Sequence, residues 1–174
     1  MAEEIINRVA NSKLITLDLE DYYPDGKRIL FDMAPWLFEG LVLREKDFRA
    51  HVKAFKWNQF EDTFIALTCS TDAIIPDWAY MLIALHLEPF SKKIVLGNLE
   101  TLETAIYQDI IQNIDTSPFK DKSIIIKGCS KKPVPSNAYV MITNKLKPVV
   151  KSIMFGEACS SVPLFKNNPL GKKD

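Results

Sequence analysis

Neither sign of charge predominates in this 174-residue chain: Lys and Arg total 22, as do Asp and Glu, and the formal net charge is zero. That balance argues against a general nucleic-acid binder, which needs a basic excess to neutralise phosphates. No apolar run approaches the ~20 residues needed to span a bilayer. The opening MAEEIINRVANSK lacks the basic and apolar regions of a signal peptide, so the expectation is a cytoplasmic protein. Cysteine is scarce, with three widely spaced residues, and an odd number in a reducing compartment argues against a disulfide framework. The motifs CxxC, HExxH and GxSxG are absent, as is a glycine-rich phosphate loop. Histidine is scarcer still. His51 lies on an expected helix and His86 aligns with a lysine, and neither is expected to be catalytic.

What the chain does have is a stretch that occurs twice. Residues 76–97, PDWAYMLIALHLEPFSKKIVLG, align without a gap on residues 135–156, PSNAYVMITNKLKPVVKSIMFG, and share nine of 22 positions. Unrelated segments would share roughly one or two. With one extra residue in the preceding loop, Cys69-Ser70 falls on Cys129-Ser130, while Cys159 falls on Glu100. An internal repeat bears on the fold before any other feature does.

Periodicity fills in the elements. Residues 3–11 read as a short helix. ITLDLED and RILFDM read as strands, and Pro24-Asp25-Gly26 between them predicts a hairpin over residues 14–33. LVL at 41–43 reads as a further short strand, followed by a helix capped by Asp47 with Phe48, Val52 and Phe55 on its buried face. TFIALT then forms a strand ending at Cys69, and Pro76 opens a helix running to about Leu87, where Pro89 stops it. KKIVLG, a helix through Leu99, Leu102, Ile106, Ile110 and Ile114, the strand KSIIIKG, a second repeat helix and KSIMFG complete the series. Strands alternating with helices predict an α/β fold with a mainly parallel sheet and crossover helices. The expectation is a single domain over residues 1–165 with a pseudo-twofold duplication in residues 63–157, its copies at about 63–100 and 122–159. Residues 166–174 are expected to form a flexible tail.

Parallel topology would put every strand's carboxyl end on one edge. A strand order of second, first, third, fourth would seat Cys69 beside Cys129 at a reversal of order, where open α/β sheets bind ligands. Neighbouring strands are about 4.8 Å apart, close enough for both sulfurs to reach one atom. Cys69, Cys129, Cys159 and Glu100 are therefore the candidate metal ligands, with zinc or iron, the latter as an iron–sulfur cluster, as candidate occupants. Two alternatives stay open. The cysteines can be small buried hydrophobes. Cys129 can instead be a reactive thiol, flanked by Lys127, Lys131 and Lys132 and by the start of a helix, which lower a thiol pKa. The second repeat helix could also hold an anion, with Ser130 and Ser136 as its binding residues, whereas Asp77 would repel one at the first. Tyr80 and Tyr139 read as packing residues. Val162, Pro163, Leu164 and Phe165 form a short apolar segment that either docks a partner or folds back onto its own core.

The strings CSTDAIIPDWAYML, KGCSKKPVPSNAYV and KSIMFGEACSSVPLFK resemble the bacterial domain-of-unknown-function family 2480. The resemblance covers most of the chain from about Lys46 to Phe165. It implies a stand-alone cytosolic protein, from a family whose genes often lie near sulfur-mobilisation genes for iron–sulfur assembly, and it transfers no catalytic residue. The expectation is therefore a cysteine-based metal- or cluster-binding accessory protein, leaning away from an enzyme, with iron–sulfur assembly proteins or a second copy of the chain as partners. A cysteine-nucleophile enzyme or sulfur carrier, and a non-catalytic scaffold, are the alternatives.

Overall fold

The computed structural model describes residues 14–128, 131–157 and 159–167. In chain order its strands are β1 (Leu14–Asp18), β2 (Arg28–Asp32), β3 (Phe64–Thr68), β4 (Lys93–Leu96), β5 (Ser123–Lys127), β6 (Ser152–Glu157) and β7 (Ser160–Lys166). Its helices are α1 (Glu45–Ala54), α2 (Asp77–Leu87), α3 (Leu99–Asn113) and α4 (Ser136–Leu146). The expected helix at 3–11 and the tail beyond residue 167 lie outside the described residues. Among the described residues, no helix is long and apolar enough to cross a membrane. The chain divides into two compact units, one comprising residues 24–106 and the other residues 1–23 and 107–174, with the boundary inside α3.

The unit of residues 24–106 is built on a parallel sheet of order β2-β3-β4. The central strand, FIALT, is apolar on both faces and buried from Phe64 to Leu67, as a parallel strand covered on both sides must be. Ile65 and Leu67 point to one face, where they pack with Phe31 of β2, Phe48 and Val52 of α1, and Ala79, Ile83 and Leu87 of α2. Pro76 precedes α2 with φ −68° and gives up no hydrogen bond there, because the first-turn N–H groups have no intrahelical partner anyway. The helix ends where the N–H groups of Phe90 and Ser91 both return to the Leu87 carbonyl, just after Pro89. Burying Ile83 and Leu87 is worth about 1.5–3 kcal/mol each.

The other unit has the sheet order β1-β5-β6-β7, parallel except for the antiparallel β6–β7 pair. Several of its residues stand 59 positions after residues in like places of the first unit. Phe64 pairs with Lys93 in one, and Ser123 with Ser152, each 59 residues on, in the other. Ala79, Ile83 and Leu87 have Ala138, Ile142 and Leu146 as counterparts, all fully buried. Phe48 and Val52 of α1 have Tyr107 and Ile111 in the second half of α3. Asp62 and Asp121 share the left-handed φ of 57° at the turn into the central strand.

Five expectations give way. A four-stranded sheet drawn from residues 63–157 does not form: β3 and β4 belong to one sheet, β5 and β6 to the other. Within each sheet the parallel strands follow chain order, so neither has the reversal at which the ligand crevice was expected. The 14–33 hairpin is replaced by two parallel pairings, β1 with β5 and β2 with β3. The turn at Pro24-Asp25-Gly26 joins strands of different sheets, because downstream apolar strands offer each a partner with both faces covered. LVL forms no strand and only closes a tight turn, with an isolated bridge from Phe38 to Val42. Asp47 sits inside α1, whose first flanking residue is Arg44, so it supports the helix dipole and does not cap it.

Candidate functional site

In each unit an aspartate ends the first strand, opposite the last residue of the central strand: Asp32 opposite Thr68, and Asp18 opposite Lys127. Asp32 accepts the Ala34 N–H at 2.9 Å, the Ser70 N–H at 3.0 Å and the Ser70 hydroxyl. Burial alone would raise its pKa, but the Ser70 hydroxyl and the two backbone donors outweigh burial and hold the carboxyl below its ordinary value. Asp18 accepts the Glu20 N–H at 2.9 Å and pairs with the Lys127 ammonium at 3.2 Å. That hydrogen bond and charge, with a smaller contribution from Glu157, raise the Lys127 pKa.

Cys69 follows β3 directly and is half-buried, its sulfur 3.4 Å from the Thr71 hydroxyl. It lies close to the first turn of α2. Burial, then the proximity of Cys69 and of the Asp77 carboxylate, pushes the Tyr80 hydroxyl above its usual pKa. No side chain caps the α2 N-terminus, and Asp77 is its first helical residue. Cys69 and Tyr80 both pack against the core of this unit. The sequence alone assigned Tyr80 to packing. The signal it offered was the one-turn spacing of Asp77 and Tyr80 behind a strand-terminal cysteine.

The other candidate residues are dispersed. Glu100 is exposed in the first turn of α3, where a carboxylate favours the helix dipole, and Asn98 caps that helix by accepting the Thr101 N–H at 2.9 Å. Cys159 is exposed in the turn between β6 and β7. Ser136 is the exposed first residue of α4, behind Pro135, and no side chain caps that helix. Cys129 and Ser130 lie outside the described residues. Cys69 and Glu100 follow strands of one sheet and Cys159 follows a strand of the other, so one sheet edge does not collect these three. Among the described residues, no three His, Cys, Asp or Glu side chains form a group able to hold a metal ion.

Of the lysines near Cys129 in the sequence, each makes a described contact. Lys127 pairs with Asp18, the Lys131 N–H donates to the Glu20 carboxylate at 3.0 Å, and the Lys132 ammonium reaches the Glu20 carbonyl at 3.4 Å. Both histidines pack on tryptophans: His51 stacks on Trp36, and His86 lies against Trp57 with Nδ1 2.9 Å from the Leu82 carbonyl. The apolar segment near the C-terminus folds back as β7. Phe165 packs on the core of its unit, while Val162 and Leu164 stay exposed.

No curated protein and no solved structure matches the chain. A family model described as Protein of unknown function (DUF2480) matches residues 3–167, and the chain belongs to that family.

Proposed function

We propose that the protein is a metal- or cluster-binding accessory protein in which Cys69 is a donor. The observation that supports this reading is a half-buried thiol at a strand end, Cys69, whose charge and that of Asp77 both act on the Tyr80 hydroxyl. A thiolate and a carboxylate that act on one hydroxyl suit a cation, and sulfur with oxygen suits zinc or iron. Two protein donors leave coordination positions open to water or to the ligands of a delivering or receiving protein. That openness fits transient carriage better than a closed structural site.

Metal analysis of protein purified anaerobically tests the reading. Substoichiometric zinc or iron is expected in the wild type, lost in Cys69→Ser, reduced in Asp77→Asn, and retained in Cys159→Ser. Wild-type metal below about a tenth of an equivalent, unchanged by any of these substitutions, overturns it.

A further inference from the structure

A cavity of about 240 Å³ lies between α1 and α2, lined by Arg49, Val52, Lys53, Trp57, Leu82 and His86. Helical spacing brings these side chains together: residues 49, 52 and 53 share one face of α1, and residues 82 and 86 are one turn apart on α2. Val52 and Trp57 are buried and Leu82 is half-buried, which gives the cavity apolar walls. Arg49 and Lys53 bring positive charge to it, and among the described residues no carboxylate lines it. The chain as a whole has no net charge, so this imbalance is local.

Neither cation is tied to a buried partner. Arg49 is 55% exposed, pairs through Nε with Glu45 at the surface and lies 5.3 Å from the Trp78 ring. Among the described residues, no acceptor takes its terminal nitrogens. Lys53 is exposed and, among the described residues, has no hydrogen-bond or ion-pair partner. His86 turns Nδ1 to the Leu82 carbonyl at 2.9 Å. A carbonyl only accepts, so Nδ1 carries the proton and Nε2 remains available to a ligand.

The residues 59 positions on are arranged differently. There Gln108, Gln112 and Lys145 stand where Arg49, Lys53 and His86 stand here. The Lys145 ammonium donates to the carbonyls of Ile111 and Gln112 at 2.6 and 2.7 Å, so a cation of the chain itself sits on the end of α3. At the end of α1 the Trp57 indole N–H does this work, donating to the Val52 carbonyl at 2.9 Å. Arg49 and Lys53 are therefore not required to finish their helix.

We propose that this cavity binds a small organic anion, with an acidic head held by Lys53 and Arg49 and a compact apolar body packed on Val52, Trp57 and Leu82. The volume corresponds to about eight waters, room for a single ring with its acid group. A cationic ligand of the same shape would be repelled by Arg49 and Lys53. An inorganic anion would satisfy the charge but leave the apolar walls uncovered.

Titration of benzoate into the isotope-labelled full chain, followed at the Trp57 indole N–H resonance, tests the proposal. The resonance should move saturably, with a dissociation constant at or below about 10 mM. Benzylammonium, the same ring with the opposite charge, should leave it unmoved. Inorganic phosphate should bind at least about tenfold more weakly than benzoate. Arg49→Gln with Lys53→Gln, which installs the side chains found at positions 108 and 112, should weaken benzoate about fivefold or more with unchanged circular dichroism. The same loss of charge at the exposed Lys120 and Lys166 should leave the affinity unchanged. A resonance that fails to saturate with benzoate, that responds equally to benzylammonium or as tightly to phosphate, or an affinity unmoved by the paired α1 substitutions, overturns the proposal.

Discussion

Asp32 and Ser70, 38 residues apart, tie the ends of two neighbouring strands together, one carboxylate receiving both the N–H and the hydroxyl of the serine. The same carboxylate takes the Ala34 N–H and so starts the turn that follows β2. Asp32→Ala should cost about 1–3 kcal/mol in urea unfolding at neutral pH, from a lost turn cap and lost bonds to a charged acceptor. The folded-state pKa is depressed, so this stability is fully present above the ordinary carboxylate value of about 3.9 and drains away as the pH falls through the lower folded value. The penalty for Asp32→Ala should therefore shrink in acid. An equal penalty at pH 7 and at about pH 3 would show that the carboxylate charge contributes nothing.

The Arg28–Glu103 pair is nearly enclosed, its side chains 12% and 10% exposed and Nε 2.7 Å from the carboxylate. Arg28 also donates to the carbonyls of Pro24 and Gly26 and lies over the Phe64 ring. Glu103→Leu removes the counter-charge of a nearly enclosed cation and should destabilise by about 3–5 kcal/mol. Arg28→Met with Glu103→Leu should recover a large part of that loss, and a double-mutant cycle reads the coupling. Coupling below about 0.5 kcal/mol would class the pair with solvent-exposed ion pairs.

Strands β3 to β6 and helices α2 and α4 were legible because short continuous apolar runs alternate with proline-initiated helices, and those signals are local. Sheet membership was not legible. β1 and β2 were recognised as strands from their alternation, but their partners lie 109 and 36 residues downstream in register, at Ser123 and Phe64, and no local signal specifies that. The likeness of the two stretches was visible over 76–97 and 135–156, where one offset of 59 holds. It was invisible for the first strands, since Asp18 and Asp32 are separated by only 14 residues. Tyr80 packs like any half-buried tyrosine, and only the fold brings it and Cys69 to one core.

The matched helices make an energetic prediction. Ile83 and Ile142 occupy equivalent, fully buried positions in α2 and α4. Truncation of each to alanine should cost about 2–5 kcal/mol, and the two costs should be similar. Val140→Ala, at an exposed position of α4, should fall within about 0.5 kcal/mol of wild type. A cost for Ile142→Ala below about 1 kcal/mol beside a full cost for Ile83→Ala would mean that the two cores are not packed alike.

Tyr80 reports on the proposed donor site directly. Burial raises its pKa first, then the Cys69 thiol and the Asp77 carboxylate add to it. Phenolate absorbance, taken as the difference from Tyr80→Phe, isolates its titration from those of the other tyrosines. Asp77→Asn and Cys69→Ser should each move the midpoint down toward the ordinary value of about 10. The raised folded value means the native state holds this proton more tightly. The associated stability is intact below about pH 10 and is lost as the pH rises through the folded value. Zinc added at a pH near 9, close to the ordinary cysteine value of about 8.5, should displace protons and lower the Tyr80 midpoint, because a cation reverses the effect of the two neighbours. A midpoint unmoved by zinc and by both substitutions would leave burial as the sole cause and remove Tyr80 and Asp77 from the proposed site.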